Sequence, residues 1–255
     1  MIKDRRMAKY MLYATGEIVL VVIGILIALQ INNWSQSQKE KKIEANYLKN
    51  ITADLKEQLT SIEVQMAYER SYYEATSRII DFYNKNQEFS LDSTFFKDAS
   101  FITERKTFVI TDPTYTDLIS SGNITIIKNK GPKDRLLTYY QDLERVEKVI
   151  QNNNSLLTDQ HYVSTFLKLG YHFTNYTESA IFEIDNIPGN VILPEHQMEL
   201  QAISKKVLSK DENKLEFFNA ITFRQKVAIG HYAFLQNTKS ITQALIEELE
   251  TLNHD

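Results

Sequence analysis

The chain has 255 residues, 43% hydrophobic and 24% charged, enough for one membrane anchor and one well-buried domain without a second large one. Its formal net charge is -4, with lysines interspersed among glutamates, which gives no electrostatic reason to expect nucleic acid. The absence of cysteine excludes a disulfide scaffold, thiol catalysis and thiolate metal sites, and suits a reducing compartment as well as a periplasm.

The first element is apolar. Between Lys9 and Lys39 the only charge is Glu17, and roughly 20 apolar residues at about 1.5 Å each match a hydrocarbon core of about 30 Å. Residues 11–33 therefore read as a transmembrane helix, with 1–10 as a short tail and 34–255 as the domain beyond the membrane. A cleaved signal peptide is the rival reading, because Lys3, Arg5, Arg6 and Lys9 precede the apolar run. It is disfavoured: the residues after Ala28, LQINNWSQSQ, lack a small-residue cleavage site, and Trp34 reads as an interfacial anchor. The basic tail outweighs the mixed KEKKIE flank, so the tail is expected in the cytoplasm and the domain outside it.

Within the span, Ala14, Glu17, Val21, Gly24, Ala28 and Ile31 follow a three-four spacing. One seam thus carries the small residues and the carboxylate together, while Leu20, Val22, Ile23, Leu26 and Ile27 cover the rest. Small residues allow close backbone approach, and a membrane carboxylate ordinarily faces a partner, a polar cavity or water. The seam predicts a homo-oligomer or another membrane protein as partner. The bland alternative is that Glu17 is protonated or reaches back to the interface and serves only insertion or packing.

Beyond the anchor the chain reads as long helices. No Gly or Pro occurs from Glu40 to Lys85, and Leu48, Ile51, Leu55, Leu59, Ile62 and Met66 make one apolar face. NKNQEFSLDS breaks that pattern, and an irregular stretch or short hairpin is expected up to Asp112-Pro113. A short helical piece, Thr114 to Ile119, is bounded by a second turn at Ser120 to Asn123. Gly131-Pro132 starts the next helix, 133–168, in which Leu136, Leu143, Ile150 and Leu157 recur every seven residues. Gly170 ends it. Residues 171–193, with AIFEIDNI, Pro188-Gly189 and then Pro194, read as a loop or short strand. Glu195 to Leu208 reads as a short helix, and residues 213–252 as a last long one with Leu215, Phe218, Ile221, Ala228, Tyr232, Leu235, Ile241, Leu245, Leu249 and Leu252 on one side. The expected fold is all-α: one N-terminal transmembrane helix, then an antiparallel bundle of long helices with short irregular insertions.

Catalytic signatures are missing: no P-loop, GxSxG, HExxH, dinucleotide-binding glycines or EF-hand loop. His161, His172, His196, His231 and His254 form no helical metal pair, and each reads as a surface or partly buried polar residue. Asp159 and His161 project about 200° apart on a helix. The asparagines of QNNNS, residues 151–155, interrupt the seven-residue repeat and are expected to face water, since the repeat positions themselves stay apolar; the alternative is that they are buried and fix register or line a ligand cavity. The 14 tyrosines and 13 phenylalanines are expected to fill a helical core rather than form a ligand cage.

KYMLYATGEIVLVVIGILIALQINNW, together with YTDLISSGNITIIKNKGPKDRLLTYYQDLERVE at 115–147, closely resembles an uncharacterised single-pass membrane family, a domain of unknown function abundant in Bacteroidota. Where this chain has NKGPKDR that family usually has NKELR, so the turn before the helix can differ. The resemblance implies a Gram-negative inner-membrane protein with a periplasmic helical domain, and brings no activity or catalytic residues with it. The functional expectation is an interaction, scaffold or sensory module, not an enzyme, with no cofactor, no metal and no nucleic acid. The alternative is a stator-like subunit of an ion-driven membrane complex using Glu17.

Overall fold

The computed structural model describes residues 3–172 and 198–254. Its first helix, α1, runs unbroken over Lys3–Asn86, 84 residues or about 126 Å at 1.5 Å per residue. The apolar span and the first amphipathic stripe, which the sequence suggests as successive elements, are therefore one helix. The polar junction Asn32 to Gln38 contains no proline or glycine to interrupt the ladder, and Gln36 bonds Glu40 one turn on at 3.3 Å. The helix ends where Gln87 adopts the left-handed conformation, φ 59°, its amide bonding Tyr83 O at 2.7 Å, a C-terminal closure made without glycine.

The stretch expected to be irregular contains a helix, α2, Ser93–Phe101. Asp92 caps it by accepting from the Phe95 amide at 2.8 Å, while Phe95, Phe96 and Ala99 are buried; at nine residues its periodicity is too short to register in the pattern. Residues 104–112 then form a strap without regular structure, leading to α3, Pro113–Ser120, and a 3-10 turn, Asn123–Ile126. Gly122 supplies the left-handed residue between them, φ 73°.

α4 spans Lys130–Asn153, so Pro132 sits in its first turn rather than opening it, and Asn129 provides the N-cap. The helix continues as a π-helical stretch, Asn154–Val163, and then α5, Ser164–Leu169. Gly170 ends it at a point where a Cβ would clash with the Phe166 ring. The possible strand AIFEIDNI, Pro188-Gly189, Pro194 and His196 lie outside the described residues. α6 is described over Met198–Leu208, and α7 covers Asp211–His254.

The fold is all-α, with no strand among the described residues. α7 runs antiparallel to α1: Ser77, Glu69, Glu63 and Lys56 meet Gln225, His231, Lys239 and Glu250 in turn. α4 rises alongside α1, from Lys128 beside Glu40 to Asn153 at the level of Glu69 and His231. The return leg between these two parallel helices is the strap with α3, so a mostly non-helical segment occupies the descending position of an up-down-up-down bundle.

Candidate functional site

The α1–α7 contact is a seam with strict three-four spacing. On α7 the seam takes in the buried Phe217, Ile221, Arg224, Ala228, His231, Leu235, Thr238, Thr242, Leu245 and Leu249, with Ala220, Val227 and Ile246 buried beside it; on α1 the same rhythm takes in Gln58, Gln65, Glu69 and Thr76. Much of the apolar face expected from sequence forms this seam, with Leu48, Ile51, Leu55 and Ile62 buried on α1 and Ile221, Ala228, Leu235, Leu245 and Leu249 on α7. Leu59 and Met66 pack at its edge, and Leu215 and Ile241 are exposed.

Polar seam residues have a shared purpose. The strap has no ladder partner for its backbone, and a buried backbone group left unpaired is costly. Arg224 Nε donates to Ile102 O at 3.0 Å and its Nη2 to Glu104 O at 3.3 Å. Gln65 and Asn154 both donate to Lys106 O at 3.2 Å. Lower down, Gln58 donates to Val109 O at 3.5 Å and accepts from the Thr111 amide at 2.6 Å, Glu147 accepts from the Ile110 amide at 3.3 Å, and Asp54 from the Thr114 amide at 3.0 Å. Side chains of three helices thus do for the strap what neighbouring strands do in a sheet.

One layer exceeds this purpose. Two hydrophobic clusters fill the bundle, a lower one of Leu48 to Ile62 with Leu136, Leu143 and Leu235 to Leu249, and an upper, aromatic one around Tyr72, Phe95, Phe96, Tyr162, Phe166 and Phe217. Between them lies the hydrogen-bonded chain Gln65, Glu69, His231, Asn153. Asn153 Nδ2 can only donate, so His231 Nε2 accepts at 3.2 Å and Nδ1–H donates to Glu69 Oε1 at 3.1 Å. Gln65 Nε2 also donates to Glu69 Oε1, at 3.0 Å. His231 is 0% and Glu69 2% exposed. The nearby Arg224 guanidinium packs over the Tyr72 ring at 4.4 Å; burial pushes it below the ordinary arginine range, opposed first by the Glu69 charge. Complete burial likewise pushes the Tyr162 phenol up, and its hydroxyl donates to Ala99 O at 2.6 Å. Four buried atoms of this region, Gln65 Oε1, Glu69 Oε2, Thr158 Oγ1 and Arg224 Nη1, have no hydrogen-bond partner among the described residues. Glu69 also lines an outer groove of about 430 Å³ walled by Tyr73, Ala228, Ile229, Tyr232 and Ala233.

The π-helical stretch completes the layer. Its wider turn rotates the buried face, so after Ile150 the inward positions become Asn154, Thr158, Tyr162 and Phe166, and Leu157 is only half-buried. The asparagines expected in water are divided: Gln151, Asn152 and Ser155 are exposed, whereas Asn153 is half-buried and Asn154 is 7% exposed. Of the described histidines, His231 is fully buried where a surface or partly buried residue is expected, because its carboxylate partner arrives from α1, 162 residues away. His161 lies over Phe223 at 6.1 Å, and Asp159 pairs separately with Arg105 at 2.7 Å. Both ring nitrogens of His231 are occupied. No group of three metal-binding side chains occurs among the described residues.

The predicted membrane seam lies along the lone part of α1. Glu17, Val21, Gly24, Ala28 and Ile31 are exposed there, a Cβ on Gly24 would meet nothing, and Trp34 is 67% exposed; Ala14 shares that helix. No other described element packs on them. The stretch includes a window of mean hydropathy 2.0, none of it buried, so it has the length and composition to cross a membrane.

An all-helical domain carrying one candidate membrane helix is the class of protein this defines. A family of unknown function, DUF6090, matches residues 17–132, which take in α1 from Glu17, α2, the strap and α3 but not His231, Arg224 or the π-helical stretch. No curated protein and no solved structure gives a significant match to the chain.

Proposed function

We propose that the chain is a single-pass inner-membrane protein whose periplasmic helical domain acts as an interaction, scaffold or sensory module without catalysis. The observation that carries this is the unburied apolar window of α1 continuing without a break into the helix that supplies Gln65 and Glu69 to the buried layer. A stiff connection of this kind couples the position of the span to the packing of the bundle. The layer favours one register of α1 against α7, since a slip along the seam would set Glu69 and His231 against apolar neighbours. Within the span, Ala14, Glu17, Val21, Gly24, Ala28 and Ile31 form the face for a second copy or another membrane protein. The stator-like reading uses the same Glu17 and differs in requiring an ionised carboxylate.

One fusion and two substitutions test this. Alkaline phosphatase at the C-terminus should be active, and a stable but inactive fusion contradicts the orientation. Gly24→Ile should weaken crosslinking between membrane helices at matched expression; unchanged crosslinks contradict the interface. Loss of crosslinking in Glu17→Gln would favour the ionised partner of the alternative.

A further inference from the structure

We infer that the membrane-proximal end of the domain is a docking surface for anionic lipid headgroups, built as a basic collar around α1. This rests on the membrane-spanning reading above. Successive helical residues are about 100° apart, so Lys39, Lys41 and Lys42 occupy three sides of α1 while Glu40 faces the fourth. That side is taken by the loop before α4: Lys128 Nζ pairs with Glu40 at 3.0 Å, and the Lys128 amide donates to Glu44 Oε1 at 2.7 Å. The two acids of this part of α1 are therefore spent on holding the loop. Residues 121–133 contribute Lys128, Lys130 and Lys133 and no acid, and Lys39, Lys41, Lys42 and Lys130 remain exposed.

The height of this collar suits headgroups. Lys39 to Glu44 lie about 12 to 20 Å along the helix from Ile31, the last apolar residue of the span, and headgroups extend about 5 to 8 Å beyond the hydrocarbon. Lys39 to Lys42 thus stand about 4 to 12 Å beyond the headgroups, comparable with a Debye length of about 8 Å, and their long stems can lean toward the interface. Because the Lys128 amide meets Glu44 across 84 residues of chain, the collar is complete only once the domain has folded onto α1.

The test uses the full chain in lipid nanodiscs of phosphatidylcholine alone or mixed with phosphatidylglycerol, with amine-reactive labelling read by mass spectrometry. Lys39, Lys41, Lys42 and Lys130 should label severalfold more slowly in the anionic discs, and high salt should remove the difference. Lys85, about 70 Å up the helix, should label equally in both. A chain that enters the discs yet labels at equal rates at all four collar lysines overturns the collar alone. A chain that does not enter the discs overturns the membrane-spanning reading and the collar with it.

Discussion

Residues 18–31 and 58–76 belong to the same continuous helix, yet their burial is the reverse of their polarity. In the first stretch Leu20 is 71% and Ile31 62% exposed; in the second Gln58 and Thr76 are 0% and Glu69 is 2% exposed. Composition alone does not decide what is covered. Gln58 and Gln65 of the polar stretch are covered where a strap without a ladder takes hydrogen bonds from them, and Glu69 where His231 and Gln65 bond it, whereas no described element covers the apolar stretch. Lipid or a partner helix is the medium such a surface calls for, and a buried polar group is retained where something bonds it.

Breaking the polar half should have the largest effect. Arg224→Leu removes the bonds to Ile102 O, at the end of α2, and to Glu104 O, at the start of the strap; two bonds from a charged donor, at about 1.5–3 kcal/mol each, put the loss at about 3–6 kcal/mol. Thermal unfolding of the full chain in detergent, followed by circular dichroism, should show a midpoint lower by on the order of 10 °C; an unchanged midpoint would mean the guanidinium is not engaged. Next comes the register shift made by the π-helical stretch. Leu143→Ala, at 1% exposure, should cost about 2–5 kcal/mol and Leu157→Ala clearly less, although both occupy the same seven-residue repeat. Equal losses in denaturant titrations would show that the repeat runs on undisturbed.

A smaller effect is expected from Gln65→Leu, about 1–3 kcal/mol, and its place matters more than its size. Amide hydrogen exchange should accelerate first in residues 104–111, because Lys106 O loses one of its two side-chain donors; acceleration confined to α1 would contradict the strap assignment. Smallest of all, Ile23→Ala in the apolar half should leave the unfolding midpoint of the domain unchanged within about 0.5 kcal/mol, as for substitutions remote from packed features. A large shift would show that the span packs on the domain.

Long-range periodicity carried much of this fold. The helical runs of α1, α4 and α7 and the turns at 112–113 and 120–123 were legible because breakers and three-four spacing act locally. The core seam was displaced by one residue in places, since Leu59 and Met66 stand beside Gln58 and Gln65 and an apolar-only reading selects the neighbours. α2 was too short to stand out. The π-helical stretch has no signature in the spacing, and the buried Glu69–His231 pair joins residues 162 apart, so local spacing does not show that the two meet. One available signal was the run of polar residues at continued seam positions of α7, Arg224, His231, Thr238 and Thr242, which a heptad written strictly through Phe217 and Leu249 would have exposed.

The apolar stretch of α1 and its bundle half form one continuous helix, and the proposed function requires that helix to be rigid. With no native cysteine in the chain, spin labels at Val22→Cys and Ala53→Cys can be placed cleanly, both on exposed faces of α1. Double electron-electron resonance on the full protein in nanodiscs should give a single narrow distance near 46 Å, the rise of 31 helical residues at about 1.5 Å each. A broad or clearly shorter distribution would show a break between span and bundle and contradict the account.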